Sequence, residues 1–141
     1  MTQRSEQVDA TRTNTTRDVI GIASLFITAG VLHHVIPAWF DRIVPAWIPD
    51  ARAATLWSGA AEIVGGIGIL IPATRRYAGV GLIALLIAVF PANINMLRTA
   101  HASADSSTAY LVALWIRLPL QLLMIWWVWR AAVTRPPRPN T

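Results

Sequence analysis

Four apolar runs, approximately Val19–Trp39, Ala53–Ile71, Tyr77–Leu97 and Ala109–Trp129, occupy most of this chain. Each is close to the ~20 residues that an α-helix needs to cross ~30 Å of hydrocarbon. A length of 141 residues is enough for one domain but not for a soluble core plus a membrane anchor. Hydrophobic residues make up 55% and charged residues 13%, in long runs and not in amphipathic periods. The chain therefore reads as an all-α membrane protein, a four-transmembrane-helix bundle over residues 18–130. A polar, Thr-rich lead (1–17) is expected to be disordered, and a Pro/Arg-rich tail (131–141) closes the sequence. The first run is too long, and its polar lead too extended, for a cleaved signal peptide.

Orientation follows from the cations. All twelve are Arg, and eight of them (Arg4, Arg12, Arg17, Arg75, Arg76, Arg130, Arg135, Arg138) fall on one side of a four-pass topology, against Arg42, Arg52 and Arg98 on the other. The positive-inside rule places both termini in the cytoplasm. Tyr77, Trp126, Trp127 and Trp129 then lie at the inner interface, and Trp39, Phe40, Trp47, Trp57 and Tyr110 toward the outer one, as aromatic belts. The net charge of +5 flanks apolar runs instead of forming one patch, so it speaks for topology and not for nucleic acid. The partner it implies is the lipid bilayer, and the use of Arg without Lys in an Ala-rich chain suggests a bacterial plasma membrane. With no Cys, the chain has no disulfide, thiolate metal site or thiol redox chemistry of its own.

Polar groups inside apolar spans are costly and mark buried sites. Counting inward from the outer helix ends at 1.5 Å per residue, His33 falls roughly 9 Å deep, Asn93 roughly 8 Å, Glu62 roughly 15 Å and Arg117 roughly 14 Å. Four helices thus place polar groups in the outer half, and Gln121 extends that layer inward. The inner half is apolar apart from Ser24 and Thr28. Ser58, Glu62 and Gly66 recur at i, i+4, i+8, with Ala54 above and Gly65 beside them, a small-residue stripe expected to face the bundle interior. Arg117, Gln121, Met124 and Val128 share a face of the last helix, where Pro119 withdraws one backbone donor, and Pro91 does the same near Asn93 and Asn95. The candidate site is His33, Ser58, Glu62, Asn93, Arg117 and Gln121.

Each group has a plainer reading beside the functional one. Glu62 and Arg117 read either as an ion pair fixing helix register or as a ligand or proton-linked site. Asn93 and Asn95 serve equally as interhelical hydrogen-bond glue. His33 and His34 point ~100° apart on a helix and lack ligand-spaced partners, so no metal or haem is expected. His101 falls in a loop, solvated, and the outer tryptophans read as belt anchors before they read as ring-stacking groups. Gly65-Gly66-Ile67-Gly68 lies inside a span with no preceding strand, so it is helix packing and not a dinucleotide loop. No soluble catalytic motif is present, and the chain is not expected to be an enzyme on its own.

The series Gly30-x-x-His33, Pro37, Ile43-Val44-Pro45-Ala46-Trp47-Ile48-Pro49, Ser58-Gly59-x-x-Glu62-Ile63-x-Gly65-Gly66, Pro72-x-Thr74-Arg75-Arg76, Phe90-Pro91-Ala92-Asn93-Ile94 and Leu114-Trp115-x-Arg117-Leu118-Pro119-Leu120-Gln121 resembles the DoxX family of small bacterial membrane proteins, from about Leu25 to Trp129. The resemblance implies a four-helix membrane bundle and an association with redox physiology. It puts His33, Glu62, Asn93, Arg117 and Gln121 on the family's recurring polar positions, while His34 stands where an aromatic residue is expected. The function it suggests is an accessory subunit that binds a lipophilic, quinone-like molecule and supports a membrane-associated oxidoreductase. Competing readings are a non-redox assembly protein with Glu62–Arg117 as a structural pair, and a small-solute transporter that would need a homo-oligomer to complete its path.

Overall fold

A computed structural model describes residues 2–134, with side chains from residue 16 onward. Helix α1 spans Thr2–Val35, α2 Pro37–Asp41, α3 Ala51–Leu70, α4 Arg75–Ala102 and α5 Thr108–Val128, and a single π-helical turn, Trp129–Val133, continues α5. The described residues contain no strand. Four segments, Thr16–Val35, Ala51–Leu70, Arg75–Ala102 and Thr108–Val133, are long and apolar enough to cross a membrane.

Prolines and caps set the boundaries. The first apolar run was expected to continue to Trp39, but Pro37 bars the helical conformation at Ile36, whose φ of −128° and ψ of 51° break the helix. Pro37 then opens the short α2 at its first turn, where its missing N–H costs nothing. Asp50 caps α3, its side chain accepting from the Ala53 N–H at 2.8 Å, and Ser107 caps α5 through Tyr110 N–H at 3.3 Å. Such caps are worth about 1 kcal/mol each. The 71–74 turn closes α3 from outside: Arg75 Nε donates to Ile69 O at 2.8 Å and Thr74 Oγ1 to Gly68 O at 2.8 Å. These carbonyls end a helix and have no partner of their own within it.

At the N-terminus, the helix runs back through the lead that composition marks as disordered. Neither Gly nor Pro interrupts residues 1–20. Once the apolar segment is helical, each further residue adds one hydrogen bond without a new nucleation cost. At the other end, 131–133 complete the π turn, and residues 135–141 of the expected tail lie outside the described residues.

The helices pack in sequence, α1 along α3, α3 on α4 and α4 on α5, and the π turn returns to α4 and α1. α1 and α3 cross where two glycines meet: a Cβ on Gly30 would stand 2.5 Å from Gly59 O, and one on Gly59 2.6 Å from His33 Cβ. Only hydrogen atoms fit between these backbones. Two apolar clusters then bracket the bundle. Val19, Ile22, Ala23, Phe26, Ile69, Leu82, Val128, Ala131 and Ala132 fill the end that carries the 71–74 turn. Met96, Leu97, Ala100 and Leu114 fill the opposite side of α4 and α5 near the 103–107 loop. The polar layer lies between them.

Candidate functional site

The Gly30–Gly59 crossing fixes His33. With α1 drawn against α3, His33 Nδ1 lies 3.1 Å from Thr55 O. A carbonyl oxygen only accepts, so Nδ1 carries the hydrogen, and Nε2 of the neutral ring presents a lone pair. That atom faces Glu62 Oε2 at 3.9 Å, too far for a direct hydrogen bond. Phe40, brought over by α2, lies against the imidazole with ring centroids 3.8 Å apart. His34 turns away and bonds its own helix, Nδ1 to Gly30 O at 2.8 Å.

Around this pair is a cavity of about 220 Å³. Its polar wall is His33, Thr55, Ser58, Glu62, Asn93 and Arg117, and its apolar wall comes from Phe40, Ile43, Val44, Pro45, Trp47 and Ile48 of the connection and from Leu85, Ala88, Val89, Pro91 and Ala92 of α4. This space would hold about seven waters at ~30 Å³ each, or one ring-sized head group. It is below the ~300 Å³ of a typical drug-sized site.

Three polar groups on this wall have no partner. Glu62 Oε2 and Thr55 Oγ1 are buried without a hydrogen bond. Arg117 makes no hydrogen bond or ion pair within the described residues, where the ion pairs between charged side chains are Arg52–Asp41 and Arg130–Asp18, and the neutral His33 ring comes no nearer than 3.9 Å to Glu62. An unmet buried donor or acceptor costs roughly 1–3 kcal/mol, and more when charged. Acceptor atoms on α1 and α3 and a five-donor guanidinium on α5 thus line one cavity.

The structure brings five of the six candidate residues into the cavity wall. Gln121 lies behind it: Asn93 Nδ2 donates to Gln121 Oε1, and Gln121 Nε2 donates to the Leu86 carbonyl. Both side chains are buried, so this link ties α4 to α5 and supports the wall from outside. Glu62 and Arg117, which read from sequence either as an ion pair or as a ligand site, face the same space without approaching within 4.0 Å. His101 is not a loop residue. It lies in the last turn of α4, exposed, and accepts from Trp115 Nε1 at 3.1 Å.

Phe40, Trp47 and Thr55 were not among the candidates. Trp47 forms part of the cavity wall yet is 70% exposed, which places it at the mouth. Thr55 carried a signal that spacing could have shown: it lies seven residues before Glu62, two turns along the same face of α3. Arg52 Nε meets Asp41 Oδ2 at 2.9 Å and pins the end of α2 to the start of α3, holding the connection over the cavity. The small-residue stripe is right in part. Ala54, Ser58 and Glu62 face the cavity and Gly66 packs against α1 at Ala23 O, while Gly59, one position off the stripe, makes the closest backbone approach, to Gly30. Among the described residues no group of three or more His, Asp or Glu could hold a metal ion.

No curated protein and no solved structure matches the chain. A family model described as a domain of unknown function (DUF8561) matches residues 22–132, from within α1 into the π turn, and the chain belongs to that family.

Proposed function

We propose that this chain is a DoxX-type, multi-pass protein of a bacterial plasma membrane, with both termini cytoplasmic, whose outer-half cavity binds the head group of a lipophilic, quinone-like molecule. In this reading it is an accessory subunit that supports a membrane-associated oxidoreductase or an oxidative-stress response. The observation that carries it is the pair of buried atoms without a hydrogen bond, Glu62 Oε2 and Thr55 Oγ1, lining with Arg117 a ring-sized cavity that has an aromatic mouth. A ring carrying oxygens on opposite sides meets both walls, with Arg117 polarising one oxygen and Glu62 and His33 facing the other. Eight arginines on the side of the 71–74 turn support the orientation.

The packed cluster from Val19 to Ala132 fills the other half of the bundle, so the cavity is a dead end, which suits a binding site better than a transport path. The test is mass spectrometry of lipids extracted from protein purified in mild detergent. An isoprenoid quinone enriched over bulk membrane extract, and lost in Arg117→Met, is expected. No enrichment over bulk would overturn the reading.

A further inference from the structure

The cavity's two walls differ in hydrogen-bonding sense. On α1 and α3 stand Glu62 Oε2, which has no donor, and His33 Nε2, whose lone pair is left free because Nδ1–H is committed to Thr55 O. On α5 stands Arg117, which only donates. Thr55 Oγ1 takes either role. A head group that fits must therefore offer a hydrogen to one wall and a lone pair to the other.

We propose, resting on the quinone-like reading above, that the cavity selects the reduced, hydroxyl-bearing form of its ligand over the oxidised, carbonyl form. A hydroquinone donates one O–H to Glu62 Oε2 and accepts from Arg117 at its other oxygen, so Glu62 and Arg117 both gain a partner. A quinone has acceptors only. With Glu62 as a carboxylate, it satisfies Arg117 but sets its second carbonyl against the lone pairs of Glu62 and His33, which leaves that carboxylate buried and unpaired. Hydrogen bonds to charged groups are worth about 1.5–3 kcal/mol, so the difference of one such bond is at least about tenfold in affinity. The chain transfers no electrons in this account; it holds the reduced form and thereby raises the midpoint of the bound two-electron couple by about 30 mV per tenfold preference.

The test is equilibrium dialysis of the purified full-length chain against durohydroquinone, under anaerobic conditions, and against duroquinone. At least about tenfold tighter binding of the hydroquinone is expected. Glu62→Gln, which places an N–H donor where the carboxylate stood, is expected to bring the two forms within about threefold, whereas Arg117→Met weakens both and keeps the ratio. Equal or tighter binding of duroquinone by the wild type, or an unchanged ratio in Glu62→Gln, overturns the selectivity and leaves the binding site standing. Binding of neither form overturns the site as well. The wild-type ratio decides the matter even where a variant fails to fold.

Discussion

Glu62 and Arg117 line one cavity from α3 and α5 without touching, their charged atoms more than 4.0 Å apart and each without a hydrogen bond from the described residues. Two unpaired ionisable groups in an apolar bundle are costly, and a pair that only locked helix register would be closed. The open geometry supports the proposed ligand, which would enter between them. The rest of the bundle holds that space apart: glycines bring α1 to α3, Asn93 and Gln121 hold α4 to α5, and α2 covers one side.

The α1–α3 crossing is the most sensitive packing contact. Gly30→Ala places a methyl 2.5 Å from Gly59 O and pushes the helices apart, at a cost of about 1–3 kcal/mol. The His33–Thr55 bond goes with it. Gly81→Ala, with nothing within 4 Å, gains up to about 1 kcal/mol from helix propensity. Thermal unfolding in detergent is expected to show the first variant lowered and the second level or raised.

Asn93 and Gln121 are expected to be coupled. Asn93→Leu alone leaves Gln121 Oε1 buried without its donor and costs about 1–3 kcal/mol. The double variant Asn93→Leu, Gln121→Leu removes both partners and is expected to cost less than the sum of the singles. Additive losses in a double-mutant cycle would show that the link carries no coupling.

Arg75 and Arg76 are adjacent, equal in charge and unequal in role. Arg75 closes the carbonyl end of α3 through Ile69 O and Leu70 O, whereas no side-chain hydrogen bond of Arg76 is formed among the described residues. Arg75→Gln is expected to lower the unfolding temperature by an amount corresponding to about 1 kcal/mol, and Arg76→Gln to leave it unchanged. Both variants remove one charge from the same turn, so a reporter fusion at the C-terminus is expected to respond to them equally.

The Arg52–Asp41 pair is expected to affect access to the proposed site more than stability. It is half exposed on the arginine side, and such pairs are worth about 0–1 kcal/mol. Arg52→Gln frees the connection that carries Phe40 and Trp47, and is expected to speed release of bound durohydroquinone several-fold with little change in unfolding temperature. Stopped-flow displacement monitored by tryptophan fluorescence checks this.

Helix number and the polar layer were legible because both follow from linear rules. Run length against bilayer thickness gave four spans, and depth counting placed His33, Glu62, Asn93 and Arg117 at one level. The missing parts depend on relations between helices that spacing does not contain. Gly59 lies one position from the predicted stripe, and only the crossing shows that it, and not Gly65, meets Gly30. The lining role of Phe40 and Trp47 requires the break at Ile36–Pro37 and the fold-back of α2, whereas composition alone makes them interfacial anchors. Thr55 shares the face of Glu62 by its seven-residue spacing, but that its carbonyl receives His33 follows only from the α1–α3 crossing.

The central claim is that Glu62 and Arg117 address a ligand and not each other, and exchanging them tests it most directly. Durohydroquinone binding is measured for Glu62→Arg, for Arg117→Glu and for the double exchange. All three are expected to lose binding, because the exchange reverses the donor and acceptor walls relative to His33 and Thr55. Recovery of wild-type binding in the double exchange, with both singles inactive, would contradict the account and return the two residues to an ion pair.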